Sequence, residues 1–228
     1  MTSTAILIPA RYDSKRFPGK PLTMLDGVPM IKRVYDACSA TEIPTYVLTD
    51  DVRIASVFQN TSVIIDDTDY ANGTERCASA STLDYMQKYD QFINVQGDMP
   101  DVTAEMILRV QEIIGQSGVA TAYTDLKTKD LQFDTNTVKM VHNNVYAHWF
   151  GRGIAWGSQH LGIYGYSKQK LLAYANTKQD TYEELEGLEQ LRWLSLQLTT
   201  RIAVRKVEFD GIEINTPEDA EEWNRRNA

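Results

Sequence analysis

The sequence predicts an α/β protein built on an open, mostly parallel sheet. Three observations carry this. Short, continuous apolar runs such as Ala5–Pro9 and Gln91–Val95 have the composition of strands buried on both faces. Segments with helical spacing of apolar residues alternate with them, giving the order β-α-β-α-β-α-β-α-β over the first half of the chain. The runs also end in loops rich in polar residues and glycine, where sheets of this class bind ligands.

Taken in order, Ala5–Pro9 is the first strand, and the basic, proline- and glycine-bearing stretch Arg11–Leu22 is a loop. A helix starts at Pro29-Met30-Ile31 and runs to about Ala40, with Met30, Ile31, Val34, Tyr35 and Ala37 at roughly helical spacing. Thr45–Thr49 is a strand, Val52–Phe58 a short helix and Ser62–Asp66 a third strand. Gly73 opens a helix through about Lys88. The strand Gln91–Val95 ends in Gln96-Gly97-Asp98. Thr103 caps the next helix, to about Gly115, and Val119–Tyr123 is a strand.

The pattern then changes. Val138–Val141 and Val145–Phe150 pair as an antiparallel excursion with a turn at Asn143-Asn144. His160–Tyr166 is a further strand. Thr181-Tyr182-Glu183-Glu184 forms a capping box opening a helix to about Leu198, with Glu189 and Gln190 in its middle. Arg201–Phe209 is a strand. Thr216-Pro217-Glu218-Asp219 supplies an N-cap, a proline at the first helical position and acids in the first turn of a last helix. With no repeat and no linker, residues 1–228 read as one domain with a β-rich insertion at about 130–165.

The chain has 228 residues, 31 acidic against 23 basic, and a formal charge of −8. That balance argues against nucleic acid as a partner. It leaves room for a small anionic ligand, because the charge of a site can oppose the global sign. The N-terminus has no basic segment ahead of its short apolar run, and no run approaches a membrane span, so a cytoplasmic protein without membrane insertion is expected. Cys38 and Cys77 lack metal-ligand spacing and read as buried reduced thiols.

The loops after the strands carry the chemistry. Arg11, Lys15, Arg16 and Lys20 in one loop form either an anion site or a solvated basic loop. A triphosphate suits the first reading, since arginine offers a planar fork and lysine a point charge. Neither a P-loop nor a dinucleotide fingerprint is present, because Gly19-Lys20 is followed by Pro21 and no G-x-G-x-x-G follows a strand. Asp98, preceded by a glycine, is a natural Mg²⁺ ligand or else a turn aspartate. Gly73-Thr74-Glu75-Arg76 places backbone N–H groups and an arginine at a helix start, where an anion could sit.

Taken together these motifs are more specific than any one of them. The string Ile8-Pro9-Ala10-Arg11-Tyr12-Asp13-Ser14-Lys15-Arg16-Phe17-Pro18-Gly19-Lys20-Pro21-Leu22 resembles the opening of the CMP-KDO synthetases, the 3-deoxy-manno-octulosonate cytidylyltransferases. So do Gly73–Arg76, Asn94–Asp98, His160–Tyr166, Leu188–Arg192 and Thr216–Asp219, in the family's order and across nearly the whole chain. The resemblance implies the Rossmann-like sheet of the sugar nucleotidyltransferases and a homodimer whose contact uses the β-rich insertion. It implies that CTP and an eight-carbon 3-deoxy-ulosonic acid, with Mg²⁺, give a CMP-sugar for lipopolysaccharide or capsule and release pyrophosphate. By analogy Pro9, Ala10, Arg11, Ser14, Arg16, Lys20, Arg76 and Gln96 face the nucleotide. Arg76, Arg152, His160, Tyr164, Glu189 and Gln190 face the sugar. Lys20, Asp98 and Arg11 are the catalytic set, and Asp98 and Asn215 hold metal.

Two departures from the family stand out. Its usual aspartate before Thr-Pro-Glu-Asp is Asn215 here, a ligand without charge, for which Glu213 could compensate. The stretch Phe150–His160 is shorter than in the family, and its usual Ser-Arg reads Gly151-Arg152. The second borders the expected sugar pocket; either raises the alternatives of an amino-substituted KDO or another ulosonic acid, and Asn215 that of a nucleotide-binding relative without catalysis.

Overall fold

A computed structural model describes residues 2–14, 17–58 and 62–227. Lys15 and Arg16, both assigned above to the basic loop, lie outside the described residues.

The chain opens with β1 (Thr4–Pro9), then a small hairpin of β2 (Met24–Leu25) and β3 (Val28–Pro29), which leads into α1 (Met30–Ser39). The alternating half continues as β4 (Thr45–Thr49), α2 (Val52–Ala55), β5 (Val63–Ile65), α3 (Gly73–Ser81), β6 (Gln91–Val95), α4 (Ala104–Gln111) and β7 (Val119–Thr124). There follow α5 (Lys129–Phe133), β8 (Lys139–His142), β9 (Ala147–Gly151), β10 (Ser158–Ser167), α6 (Lys168–Ala175), α7 (Thr181–Glu186), α8 (Leu191–Leu194), β11 (Ala203–Lys206) and α9 (Pro217–Arg226).

The main sheet runs β11-β7-β10-β6-β1-β4-β5. Its pairs are parallel except at β10, which lies between β6 and β7 and is antiparallel to both. The sheet is therefore open and mostly parallel, as expected. β8 and β9 form the antiparallel excursion, joined to the sheet through β10. Asn144, at φ 69°, makes their turn.

Strand residues divide between two cores by alternation. Ile6 and Ile8 pack with Ile31 and Val34 of α1 and Ile107 and Val110 of α4 on one face. Ala5 and Leu7 pack with Cys77 of α3, Leu171 of α6 and Trp193 of α8 on the other. Cys38 and Cys77 are buried and free.

Three expectations are corrected. The helix expected over 181–198 is broken at Gly187, which takes the left-handed conformation at φ 62° and ends α7. Its N-cap is Asp180, whose box partner is Glu183, one residue earlier than the Thr181 box. The helix from Gly73 stops at Ser81 rather than near Lys88. A helix over Lys168–Ala175, capped by the Ser167 hydroxyl, was not foreseen.

The reversed direction of β10 positions the site. The parallel strands end at one edge of the sheet, and an antiparallel strand brings its beginning to that same edge. The Gln96 N–H accordingly donates to the Gly162 carbonyl at 2.9 Å, so His160 and Gly162 stand beside the loop after β6.

Candidate active site

Two adjoining cavities of about 610 and 470 Å³ open along this edge. The first is lined by the β1 loop (Pro9, Ala10, Arg11, Ser14, Lys20) together with Arg76. The second is lined by His160, Tyr164, Gln190 and Glu213. Arg11, Gln96, Asp98, Arg152, Glu189 and Asn215 belong to both walls. One cleft with two halves thus gathers every described residue expected at the site. The expected residue Arg16 falls outside the described set.

Lys20 ties the cleft's floor together. Its Nζ lies 2.8 Å from Asp98 Oδ2 and donates to the Ile214 carbonyl at 3.0 Å. The Ile214 N–H donates in turn to the Asp98 carbonyl at 2.9 Å. Gly97 permits this approach: a Cβ there would stand 3.0 Å from Ile31 Cδ1 and 3.3 Å from the Pro9 carbonyl oxygen. The β1 loop is pinned by Tyr12, whose N–H donates to Asp50 Oδ1 at 3.1 Å and whose ring lies under the Arg53 guanidinium.

The start of α3 is not the open anion site its sequence suggested. The Glu75 N–H is capped by Asn72 Oδ1 at 3.0 Å, and the Thr74 N–H donates to Glu189 Oε2 at 2.9 Å. A carboxylate of the protein already fills that place. Arg76 is buried and donates to the Asp66 and Thr68 carbonyls, with Asp50 at 3.8 Å. It therefore holds the loop over one wall while lining the cleft.

Glu189 and Gln190 sit in the break between α7 and α8, not on a helix face. The other oxygen of Glu189 accepts from Gln96 Nε2 at 3.2 Å. Burial raises its pKa, and the Thr74 and Gln96 hydrogen bonds work against that rise. Gly162 leaves room for Gln96, since a Cβ there would lie 2.5 Å from Gln96 Oε1.

His160 is buried against Phe150 and Tyr164, with ring centroids at 5.0 and 5.3 Å. Burial, with the charge of Arg152 second, lowers its pKa to about 3. The Thr121 hydroxyl donates to the Ile163 carbonyl at 2.8 Å, so it can only accept from His160 Nε2 at 3.0 Å. The neutral ring is thus the Nε2–H tautomer, with Nδ1 left as an acceptor.

Arg152 donates through its guanidinium to the Thr135 and Asn136 carbonyls at 3.0 and 3.2 Å. Sequence reasoning missed what steadies it. The fully buried Lys139 donates to the carbonyls of Asp134, Thr137 and Arg152, each within 2.8 Å. It also missed the buried pair behind the Glu189 loop, where Arg192 reaches both oxygens of Glu183 at 2.7 Å and Glu75 at 2.9 Å. The Glu183 spacing from its cap was the available signal for one partner. Nothing local marks Lys139.

For a hard cation the cleft offers oxygen donors, the Asp98 carboxylate and the Asn215 amide oxygen, both on the shared wall. These fit magnesium in kind. Among the described residues no group of three His, Cys, Asp or Glu could hold a metal. A magnesium ion here would draw its remaining ligands from phosphate and water.

The sequence matches the cytidylyltransferase family over residues 5–202. The chain belongs to that family. This cytidylyltransferase is 37% identical over 244 aligned positions to the 8-amino-3,8-dideoxy-manno-octulosonate cytidylyltransferase of Shewanella baltica (strain OS195), with 99% of each chain covered. It matches the same-named Shewanella oneidensis protein at the same identity and coverage. Among solved structures it resembles a CMP:2-keto-3-deoxy-manno-octonic acid synthetase complexed with CTP, at a TM-score of 0.87 and 28% identity, covering 99% of this chain and 98% of the other. A 4-diphosphocytidyl-2C-methyl-D-erythritol synthase from Anaerococcus prevotii, at 13% identity and a TM-score of 0.68, shares the fold. The chain is thus a nucleotidyltransferase, and no described helix is long and apolar enough to cross a membrane.

Proposed function

We propose that the enzyme transfers CMP from CTP to a 3-deoxy-ulosonic acid of the KDO type that carries an amino group at C8. The observation that carries this is the shared wall. Arg11, Asp98, Arg152 and Asn215 face both halves of the cleft, so a nucleotide in one half would meet an acceptor in the other there. The relatives named for the 8-amino sugar support the choice of acceptor.

In this reading Arg11, Ser14 and Lys20, with Arg16, hold the triphosphate, and the backbone of Pro9 and Ala10 borders the nucleotide. Arg76 and Gln96 lie between nucleotide and sugar. Arg152 receives the sugar carboxylate, while His160, Tyr164, Glu189 and Gln190 orient its hydroxyls. The anomeric oxygen attacks the α-phosphorus, the bond to the β-phosphate oxygen breaks, and pyrophosphate leaves. The anomeric hydroxyl gives up its proton to water or the departing pyrophosphate as the new P–O bond forms. Lys20, already aimed at Asp98, stabilises negative charge at the reacting phosphate. Magnesium, held by Asp98 and Asn215 when bound, supplies further charge neutralisation on the phosphate oxygens.

The CMP-sugar would serve lipopolysaccharide or capsule synthesis in the cytoplasm. A homodimer would use the β-rich insertion, where Phe133 is 70% and Trp156 61% exposed and a partner could cover apolar area. The mass of the particle in solution tests that contact. Pyrophosphate release from CTP and Mg²⁺, measured with KDO and with its 8-amino analogue, tests the reaction. Release with the amino sugar at higher kcat/KM is expected. Release only with KDO sinks the acceptor choice, and release with neither sinks the enzyme reading.

A further inference from the structure

The sugar half of the cleft holds a carboxyl group that no ion pair among the described residues answers. Five carboxylates line that half: Asp98, Glu183, Glu184, Glu189 and Glu213. Asp98 is paired with Lys20 at 2.8 Å. Glu183 is paired with Arg192. Glu189 accepts from the Thr74 N–H and from Gln96. Glu184 is exposed on α7, in contact with water. Glu213 is half-buried, and among the described residues no cation lies within ion-pair distance of it and no side chain donates to it. The Gly162 backbone hydrogen-bonds it, and the charges of Lys20 and Arg152 act on it from beyond ion-pair distance.

Its position is nonetheless fixed. The next residue, Ile214, is fully buried and bonded at both its N–H and its carbonyl, to the Asp98 carbonyl and Lys20 Nζ. Glu213 lines the sugar half and not the nucleotide half. A carboxylate drawn partly out of water is costly without a cation beside it. Here it also opposes the two anionic substrates the cleft must hold. The arrangement makes physical sense if an acceptor brings the missing cation.

We infer that Glu213 is the specificity-determining residue that receives the ammonium group of an amino-substituted ulosonic acid. The inference rests on the amino-acceptor reading above. An ammonium–carboxylate hydrogen bond is charge-assisted, whereas the hydroxyl of KDO at the same place gives a weaker, neutral donor. The carboxylate thus favours the amino sugar both by attraction and by its own desolvation cost when a hydroxyl occupies the place.

The test is the ratio of kcat/KM for the 8-amino acceptor to that for KDO, in the wild-type enzyme and in Glu213→Gln, at several Mg²⁺ concentrations. The ratio should fall roughly 10- to 100-fold in the variant, the span expected for one charge-assisted hydrogen bond. A wild-type preference for the amino sugar that the variant retains in full overturns the inference alone. An equal loss with both sugars, relieved by more Mg²⁺, also overturns it and makes Glu213 a metal ligand. A wild-type enzyme that uses only KDO defeats the acceptor reading and this inference with it. CTP binding by calorimetry reports folding, because Glu213 does not line the nucleotide half. Should the glutamine variant fail to bind CTP, Glu213→Asp provides the same ratio with the charge kept and the reach shortened. An aspartate ratio equal to that of the wild type then overturns the inference.

Discussion

Lys20 Nζ stands 2.8 Å from Asp98 Oδ2 and 3.0 Å from the Ile214 carbonyl, joining three segments that are far apart in sequence. The side chains of the pair keep only 17% and 23% of their exposure, so solvent screens the attraction in part. The pair's value lies in placing a cation and a carboxylate together at the wall the two substrates share. Lys20→Met should lower kcat/KM by about 10²- to 10³-fold, with a loss of stability of about 1–3 kcal/mol from the partners it leaves unpaired. Pyrophosphate release and urea unfolding measured on the same preparation check this. A loss of stability sufficient to explain the loss of activity would make Lys20 a structural tie and nothing more.

Asn215 shares that wall with Asp98 but brings no charge. Affinity for a hard cation rises with the number of charged oxygen ligands. Asn215→Asp should therefore lower the Mg²⁺ concentration for half-maximal rate by roughly 3- to 10-fold. A magnesium titration with unchanged midpoint removes Asn215 from the metal site. It leaves the proposed role of Asp98 standing.

Much of the fold and the cleft was legible because the relevant signals are local. Ala5–Pro9 and Gln91–Val95 are apolar runs with loops at their carboxyl ends, and such loops are where a parallel sheet binds ligands. The direction and place of β10 were not legible. The run His160–Tyr166 announces a strand, but its insertion between β6 and β7 is set by non-local pairing. Glu189 illustrates a different limit. Gly187, two residues earlier, is of the type that commonly ends helices, yet acids and leucines on both sides favour one continuous helix. The break falls at left-handed Gly187, and contacts with Thr74 and Gln96 hold Glu189 beyond it. For the same reason the start of α3 looked open in sequence, since the carboxylate that fills it comes from 115 residues away.

The Arg192–Glu183 pair supports that break from behind. Their side chains are 1% and 3% exposed, so each charge depends on the other. Arg192→Leu would leave Glu183 buried with no cation and should cost about 3–5 kcal/mol. Arg192→Leu combined with Glu183→Gln should recover a large part of that loss, because the stranded charge is removed. Urea unfolding of the single and double variants separates these outcomes. Equal losses in both would show that Arg192 acts through its cation–π contact with Tyr174 rather than its pairing with Glu183.

His160 sets an acid limit on stability. Burial holds its pKa at about 3 in the folded chain, while an unfolded chain titrates near the ordinary imidazole value of about 6.5. Between those values the unfolded state binds a proton that the folded state refuses. The neutral ring's contribution is thus complete above about pH 6.5 and is lost progressively as pH falls toward 3. Between about pH 7 and pH 4.5 the wild-type protein should lose roughly 2–3 kcal/mol through this group. His160→Gln keeps an amide donor for Thr121 but cannot titrate, so its unfolding free energy should fall by that much less over the same interval. Urea midpoints at both pH values supply the comparison. Parallel declines in the two proteins would mean that the ring protonates in place, close to Arg152, without cost to the fold.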